Sequence, residues 1–368
     1  MTHANTSRVD ATWERLQSWH SNGHCHALAA ETGSVTGETY SFSAGQLAPE
    51  NATAVTSESI FLIASPTKPF VAIAAMMLLE QGKLQLDQLV QRYLPEFRSG
   101  GKETIRLIHL LTHTSGLPDM LPNNEQLRQA HAPLSEFMKH VYKVDLVAAP
   151  GTCVHYQSKG ILALAVIIEK ITGMPLSEYL ETQIFAPLNM ANTALGIPDS
   201  WHSTGQLDKM TWSQVDEHSA ATDWGWNSLY WRRLGAPWGG LLSSAHDLGS
   251  FCQHLLEINQ GRQGIISPQS LSAMTSNQLT NFPALTESVV RTTPWGLGWQ
   301  LNWPGHPRGF GSLLPREVFG HWGATGTMLW LDPTRNVYGV VLTTEPIKQE
   351  DRRQILFGNL SSLVWQPH

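Results

Sequence analysis

Ser65 is followed three residues later by Lys68. On a helix that spacing puts a hydroxyl and an amine on one face, one turn apart. An amine so placed can take the hydroxyl's proton, which turns the oxygen into a nucleophile toward an acyl carbon. The run FLIASPTKPFVAIAAMMLL, residues 61–79, starts as a short apolar strand, breaks at Ser65-Pro66 and continues as an apolar block. Ser65 suits a helix N-cap and Pro66 the first helical position. A helix start there also supplies unpaired N–H groups and a positive dipole end. No charge falls between Pro69 and Leu79, so the helix reads as buried and Lys68 as facing an internal seam. Pro69 removes an early backbone bond and leaves the helix start defined to within a residue. The same spacing recurs at Ser99 and Lys102, but in a glycine loop with no apolar helix behind it.

The elements that must position this pair follow from periodicity. Trp13, Leu16 and Trp19 mark an amphipathic helix over 9–21. Residues 26–30 and 35–44 read as strands joined by a turn at Thr32-Gly33-Ser34. Helices are expected over 86–94, 104–111 and 127–147, the second ending at His113, which suits tying down its own turn. Another buried helix follows Gly160, fed by a turn that carries Tyr156. Residues 196–240 crowd Trp201, Trp212, Trp224, Trp226, Trp231 and Trp238 into a stretch of little periodicity, as in an ordered loop over a cleft. A helix opens after Ser244. Strands return at 295–303, 317–324, 327–332 and 337–343, with a turn at 333–336, and 349–365 reads as a closing helix. The economical arrangement is α+β: an antiparallel sheet drawn from both ends of the chain, flanked by N- and C-terminal helices, with an inserted all-helical domain. Residues 1–80 with 290–368 would form the sheet domain and 81–289 the helical domain with its Trp-rich loop. The cleft between them is the expected site.

Composition narrows the function. Of 368 residues, 42% are hydrophobic and 15% charged, which fits a well-buried globular chain. The formal charge is −6 and no basic run stands out, so nucleic acid and membrane surfaces are not expected partners. The polar start MTHANTSRVDATWERL and the absence of a long apolar run point to a cytoplasmic protein. Three cysteines make no disulfide framework, and His24-Cys25-His26 lacks a second ligand cluster, so no metal is expected. No glycine has a serine two places later, which removes the nucleophile elbow of α/β-hydrolases. Gly-x-Gly-x-x-Gly, Gly-x-x-x-x-Gly-Lys and His-Glu-x-x-His are also missing, so nucleotide and zinc-peptidase chemistry loses its main support, and no cofactor is expected.

Ser65-Pro-Thr-Lys68, Tyr156-Gln-Ser158 and His321-Trp-Gly323 occur in the order and rough spacing of three motifs of the penicillin-recognising serine hydrolases. With IRLIHLLTHTSGLP, FAPLNMANTALG, GGLLSSAHDL, WGLGWQL and VFGHWGATGTMLWLDP, the chain resembles the class C β-lactamase-like branch, which includes family VIII carboxylesterases and D-amino-acid peptidases. The resemblance implies a β-lactamase/transpeptidase-like fold. It makes Ser65 the acylated nucleophile, Lys68 the partner that shares its proton, and Tyr156 the second member of the proton relay. The backbone N–H groups of Ser65 and Ala324 would form the oxyanion hole. Ser158, His321, Trp322 and Gly323 would border the substrate.

Two positions depart from the pattern. Ser158 stands where asparagine is usual; its hydroxyl can still bond Lys68 but grips a substrate amide less well. His321 stands where β-lactamases usually carry lysine, and histidine is largely neutral at pH 7. Both weaken an antibiotic-degrading role and leave ester hydrolysis open. The expectation is a serine hydrolase acting on a small ester or amide, foremost a carboxylesterase for small or medium acyl esters. A β-lactamase or D-amino-acid peptidase is the alternative within the chemistry, and a binding homologue with damaged catalysis the alternative outside it. Oligomeric state is not legible.

Overall fold

The computed structural model describes every residue except 1, 216–218, 220, 221, 305–308, 348–351 and 368. The strands are β1 (Thr2–Ala4), β2 (Ala27–Ser34), β3 (Thr39–Ala48), β4 (Asn51–Ala54), β5 (Phe61–Leu62), β6 (Ala194–Leu195), β7 (Leu241–Ser243), β8 (Gln300–Leu301), β9 (Phe319–Gly323), β10 (Thr327–Asp332), β11 (Val337–Thr343) and β12 (Trp365–Pro367). Seven form one antiparallel sheet in the order β4-β3-β2-β11-β10-β9-β8. The two ends of the chain meet where β2 pairs with β11, Ala30 opposite Val341. The fold is therefore α+β, as the pattern of elements implies.

Alternation along the strands divides the core. Leu28, Ala30, Met328, Trp330 and Val341 pack with Leu16, Trp19 and Phe357 of the terminal helices, Thr6–Ser21 and Arg353–Val364. Ala27, Ala29, Leu329, Val340 and Leu342 face the main core, where the helix Ala245–Asn259 lies on β2 and β11. That helix falls within 81–289, so the segment expected to be all-helical contributes an element to the sheet layer. A second, three-stranded sheet in the order β5-β7-β6 holds the chain just before Ser65. The helix Thr67–Glu80 is buried from Thr67 through Leu78, and Phe70 stacks on Phe251 at 4.3 Å between ring centroids. Among the described residues no single helix is long and apolar enough to cross a membrane.

Several elements differ from expectation. Thr32-Gly33-Ser34 is not the first turn but the end of β2; the turn spans 35–38, where Gly37 takes a φ of +87°. Gly33 is needed for a different reason: a Cβ there would lie 2.5 Å from the Tyr338 hydroxyl on the neighbouring strand. The 86–94 helix shrinks to a single 3-10 turn, Val90–Arg92. The 127–147 helix is two pieces, Asn124–Gln129 and Leu134–Lys143, with Pro133 ahead of the second. The 104–111 helix begins at Leu107, and 295–303 forms strand only at Gln300–Leu301. The closing helix starts at Arg353; the residues 349–351 proposed for its start lie outside the described residues.

Tyr338 is fully buried and donates to Glu31 Oε1 at 2.7 Å, so its ring has nowhere to retreat. Gly33→Ala should cost about 1–3 kcal/mol by overpacking and loss of that bond. A lowered midpoint in chemical denaturation with an unchanged slope is the expected result, and an unchanged midpoint would show that the ring can move.

Candidate active site

The backbone that delivers Ser65 is held one carbonyl at a time. Thr325 Oγ1 donates to the Leu62 carbonyl and Thr327 Oγ1 to the Ile63 carbonyl, both at 2.6 Å. Thr67 Oγ1 donates to the Ala64 carbonyl at 2.6 Å and accepts from the Leu241 N–H at 3.0 Å. Ala64 is an L-residue at a φ of +55°, a conformation that costs on the order of 1–2 kcal/mol and needs such support. Ser65 is not the helix N-cap expected from its position. The helix begins at Thr67, Pro66 occupies the cap position, and no side chain caps it. The Ser65 hydroxyl is engaged elsewhere.

Lys68 Nζ donates to Ser65 Oγ at 3.0 Å and to the Trp238 carbonyl at 2.7 Å. It also lies 4.7 Å from the centroid of the Tyr156 ring. Lys68 is 1% exposed, and burial pushes its amine down to about 7; Asp119 opposes that shift and Lys159 adds to it. The three residues expected to meet at the seam therefore do so. Tyr156 is bracketed by His113, whose carbonyl accepts from the His155 N–H at 2.8 Å and whose Nδ1 accepts from the Gln157 N–H at 3.1 Å. The His113 ring packs on Tyr156 at 4.6 Å and on Trp295 at 4.4 Å, and burial holds it well below its ordinary pKa. His113 thus ties down the Tyr156 segment as well as its own turn.

On β9, Gly323 passes so close to the Ser65 loop that a Cβ would stand 2.2 Å from the Ile63 carbonyl and 2.9 Å from Pro66 Cδ. Ala324 follows it, exposed, between Gly323 and Thr325, which bonds the Leu62 carbonyl. His321 faces the site, its ring 6.1 Å from Tyr156 and 5.9 Å from Trp295. Its Nδ1 lies 2.9 Å from the Trp322 carbonyl, so that nitrogen carries the hydrogen and Nε2 presents a lone pair. Burial and the nearby Lys68 push His321 down to about 3. Trp322, expected at the substrate, points the other way: its side chain packs on the cluster beneath the terminal helices, as strand alternation requires. Ser158 also departs from expectation. Its hydroxyl donates to Asp119 Oδ1 at 2.6 Å rather than bonding Lys68. Asp119, Trp295 and the three threonines have no signal in the sequence, and Trp238 shows there only as one of the Trp-rich stretch; each has a partner far along the chain.

A hydroxyl, a buried neutralisable amine and a phenol brought together beside the end of β9 can perform acyl transfer. Residues 29–359 match the β-lactamase family model. The chain belongs to the β-lactamase family. A protein of Salmonella agona provisionally named a D-alanyl-D-alanine carboxypeptidase is 27% identical over 314 residues, 79% of this chain and 70% of the relative. Among solved structures, EstCE1, described as a hydrolase with promiscuous acyltransferase activity, superposes with a TM-score of 0.74 at 19% identity, covering 97% of this chain and 98% of the other. Simvastatin synthase (LovD) from Aspergillus terreus does so with a TM-score of 0.76 at 18% identity, with the same coverage. At such identities the two structures speak for the fold. This β-lactamase-family chain is a serine hydrolase by family.

Thr67 tests the scaffold independently of any substrate. Thr67→Val removes the hydroxyl and leaves the Leu241 N–H unpaired in the core, while the Ala64 carbonyl keeps only the Thr67 N–H at 3.0 Å, at a cost of about 1–3 kcal/mol. Faster hydrogen exchange at the Leu241 amide, together with a lower unfolding midpoint, is the expected outcome; unchanged exchange would show that the clamp is redundant.

Proposed function

We propose that the chain is a carboxylesterase that cleaves small or medium uncharged acyl esters through an acyl-enzyme on Ser65. The observation that carries this reading is the buried Lys68 amine, held at about 7 and hydrogen-bonded to Ser65 Oγ. In its neutral form the amine has a lone pair for the Ser65 proton. Ser65 Oγ then bonds to the acyl carbon, and the carbonyl electrons move to an oxygen facing the backbone N–H groups of Ser65 and Ala324. Collapse breaks the ester C–O bond, and the alcohol leaves with a proton delivered through Lys68 and Tyr156. Water repeats the sequence on the acyl-enzyme, releasing the acid and restoring Ser65.

Ester over amide selectivity is supported by two positions. Ser158 is turned to Asp119 and offers no amide pair to a substrate peptide group. His321, pushed to about 3, supplies no fixed cation for a substrate carboxylate near neutral pH. Amide cleavage is the second reading, favoured by the name of the Salmonella agona relative.

A fluorophosphonate probe should label Ser65, and Ser65→Ala should abolish both labelling and p-nitrophenyl butyrate turnover. Lys68→Met should lower turnover by about 10²–10⁴-fold. The rate should fall about tenfold per pH unit below about 7, as protonation removes the lone pair on Lys68. A label on another residue, or an efficiency on a chromogenic cephalosporin above that on the ester, would overturn the assignment.

A further inference from the structure

Lys159 directly follows Ser158, opens the helix Lys159–Thr172 and is fully buried. Its Nζ lies 3.8 Å from the centroid of the Trp238 indole, 5.4 Å from the Phe137 ring and 3.4 Å from Asn124 Oδ1. Trp238 is the same residue whose carbonyl accepts from Lys68. One tryptophan therefore carries two lysines, the first on its backbone oxygen and the second on its ring face. Asp119 is the carboxylate that acts on both amines, and it already accepts the Ser158 hydroxyl. Arg128, from the helix Asn124–Gln129, adds a further positive charge near Lys159. His113 and His321, which face Lys68, are both neutral near pH 7.

Two buried amines share one half-buried carboxylate. If both amines were charged, one ammonium would lack a counter-ion, which is strongly unfavourable away from water. An indole face at 3.8 Å stabilises a cation without competing for a proton. We propose that Lys159 is a positioning residue for the Ser65–Lys68 pair: its ammonium, seated on Trp238, balances Asp119, so that Lys68 is the amine left neutral beside Ser65. Without Lys159, the charge that opposes protonation of Lys68 would be gone, and Asp119 would hold that amine protonated. Burial pushes both amines down to about 7, so the balance between them falls in the neutral range.

This inference rests on the proposed acyl transfer for its kinetic test but not for its spectroscopic one. In Lys159→Met or Lys159→Gln, the acid limb of Ser65 labelling and of p-nitrophenyl butyrate turnover should move up by about one pH unit, a loss of about fivefold at pH 7 and about tenfold well below it. Activity should recover at about pH 9, and Lys159→Arg should keep the original limb because it keeps the cation. A role confined to packing would lower the rate at every pH and leave the limb in place, and that result would overturn the inference. In the unaltered protein, carbon-13 titration of the two buried lysine side chains should find Lys159 protonated to higher pH than Lys68; the reverse order would overturn the inference even if every variant failed to fold. If Ser65 labels at no pH, the esterase reading fails, and the lysine titration still decides this one.

Discussion

The site depends on an amine kept out of water with no carboxylate in ion-pair contact. A surface lysine would hold its proton at pH 7, and so would a buried lysine in direct contact with an aspartate. Lys68 avoids both: its nearest partners are a hydroxyl, a backbone carbonyl and a phenol ring, and Asp119 is held back by Ser158. The arrangement lowers stability. Lys68 and Lys159 are depressed to about 7 in the folded chain, against 10.5 as the ordinary value. Between those values the unfolded chain binds more protons than the folded one, so stability rises with pH across that window. Below about 7 both states are protonated and the penalty is in full force. The surrounding core must offset it, and the helix that carries Lys68 is buried along twelve consecutive residues, Thr67 to Leu78.

An amine tuned by burial works only if the hydroxyl beside it is fixed, and that task falls to the backbone. Three successive carbonyls, those of Leu62, Ile63 and Ala64, each accept a threonine hydroxyl. Two of the threonines come from the β9–β10 hairpin and one from the first turn of the helix. The same hairpin bears Gly323, which permits its close approach, and Ala324, whose amide would face the reacting oxygen. The parts that hold Ser65 are thus the parts that place Ala324, the second oxyanion donor in the proposed reaction, so one cannot shift without the other. β7 completes the frame by pairing with β5 and donating the Leu241 N–H to Thr67.

What was legible in the sequence was local. The strands at 327–332 and 337–343 match β10 and β11, and the turn between them is set by Asp332, which accepts from Thr334 and Arg335, and by Asn336 at a φ of +58°. Ser65 and Lys68 could be singled out because spacing and flanking burial are written in the chain itself; Tyr156 was singled out by the resemblance of its motif. Gly33 was misread because a glycine that yields to a ring on the neighbouring strand looks, in sequence, like a turn. Trp322 was misplaced because the motif was read as a unit, although adjacent strand residues face opposite sides. Lys159 passed unnoticed for a related reason: the Trp238 ring that makes it significant lies 79 positions further along the chain. The Trp-rich stretch is likewise ordered from a distance, with Arg128 stacked on Trp224 and Trp231 and with Arg232, buried, bonded to the Thr211 and Trp226 carbonyls. Residues 216–218, 220 and 221 of that stretch lie outside the described residues.

The charge layout around the site then has a direction. The cations Lys159 and Arg128 and the carboxylate of Asp119 gather around Trp238 and Ser158. The surroundings of Tyr156 are aromatic and neutral: Tyr156, His113, His321 and Trp295 are linked by ring contacts, with Leu279, Phe282 and Leu285 packed against Tyr156 and Trp295. His321 fixes its own tautomer through the Trp322 carbonyl, so toward the site it offers an acceptor and no positive charge. A substrate group seated there would gain from apolar contact and from a hydrogen it can donate, and an anionic group would meet no counter-charge. The same separation protects the chemistry, because a charged substrate group drawn beside Lys68 would shift the amine that has to remain neutral. Uncharged acyl esters satisfy both conditions at once, which is why the electrostatics of Lys68 and the substrate preference proposed here are one argument.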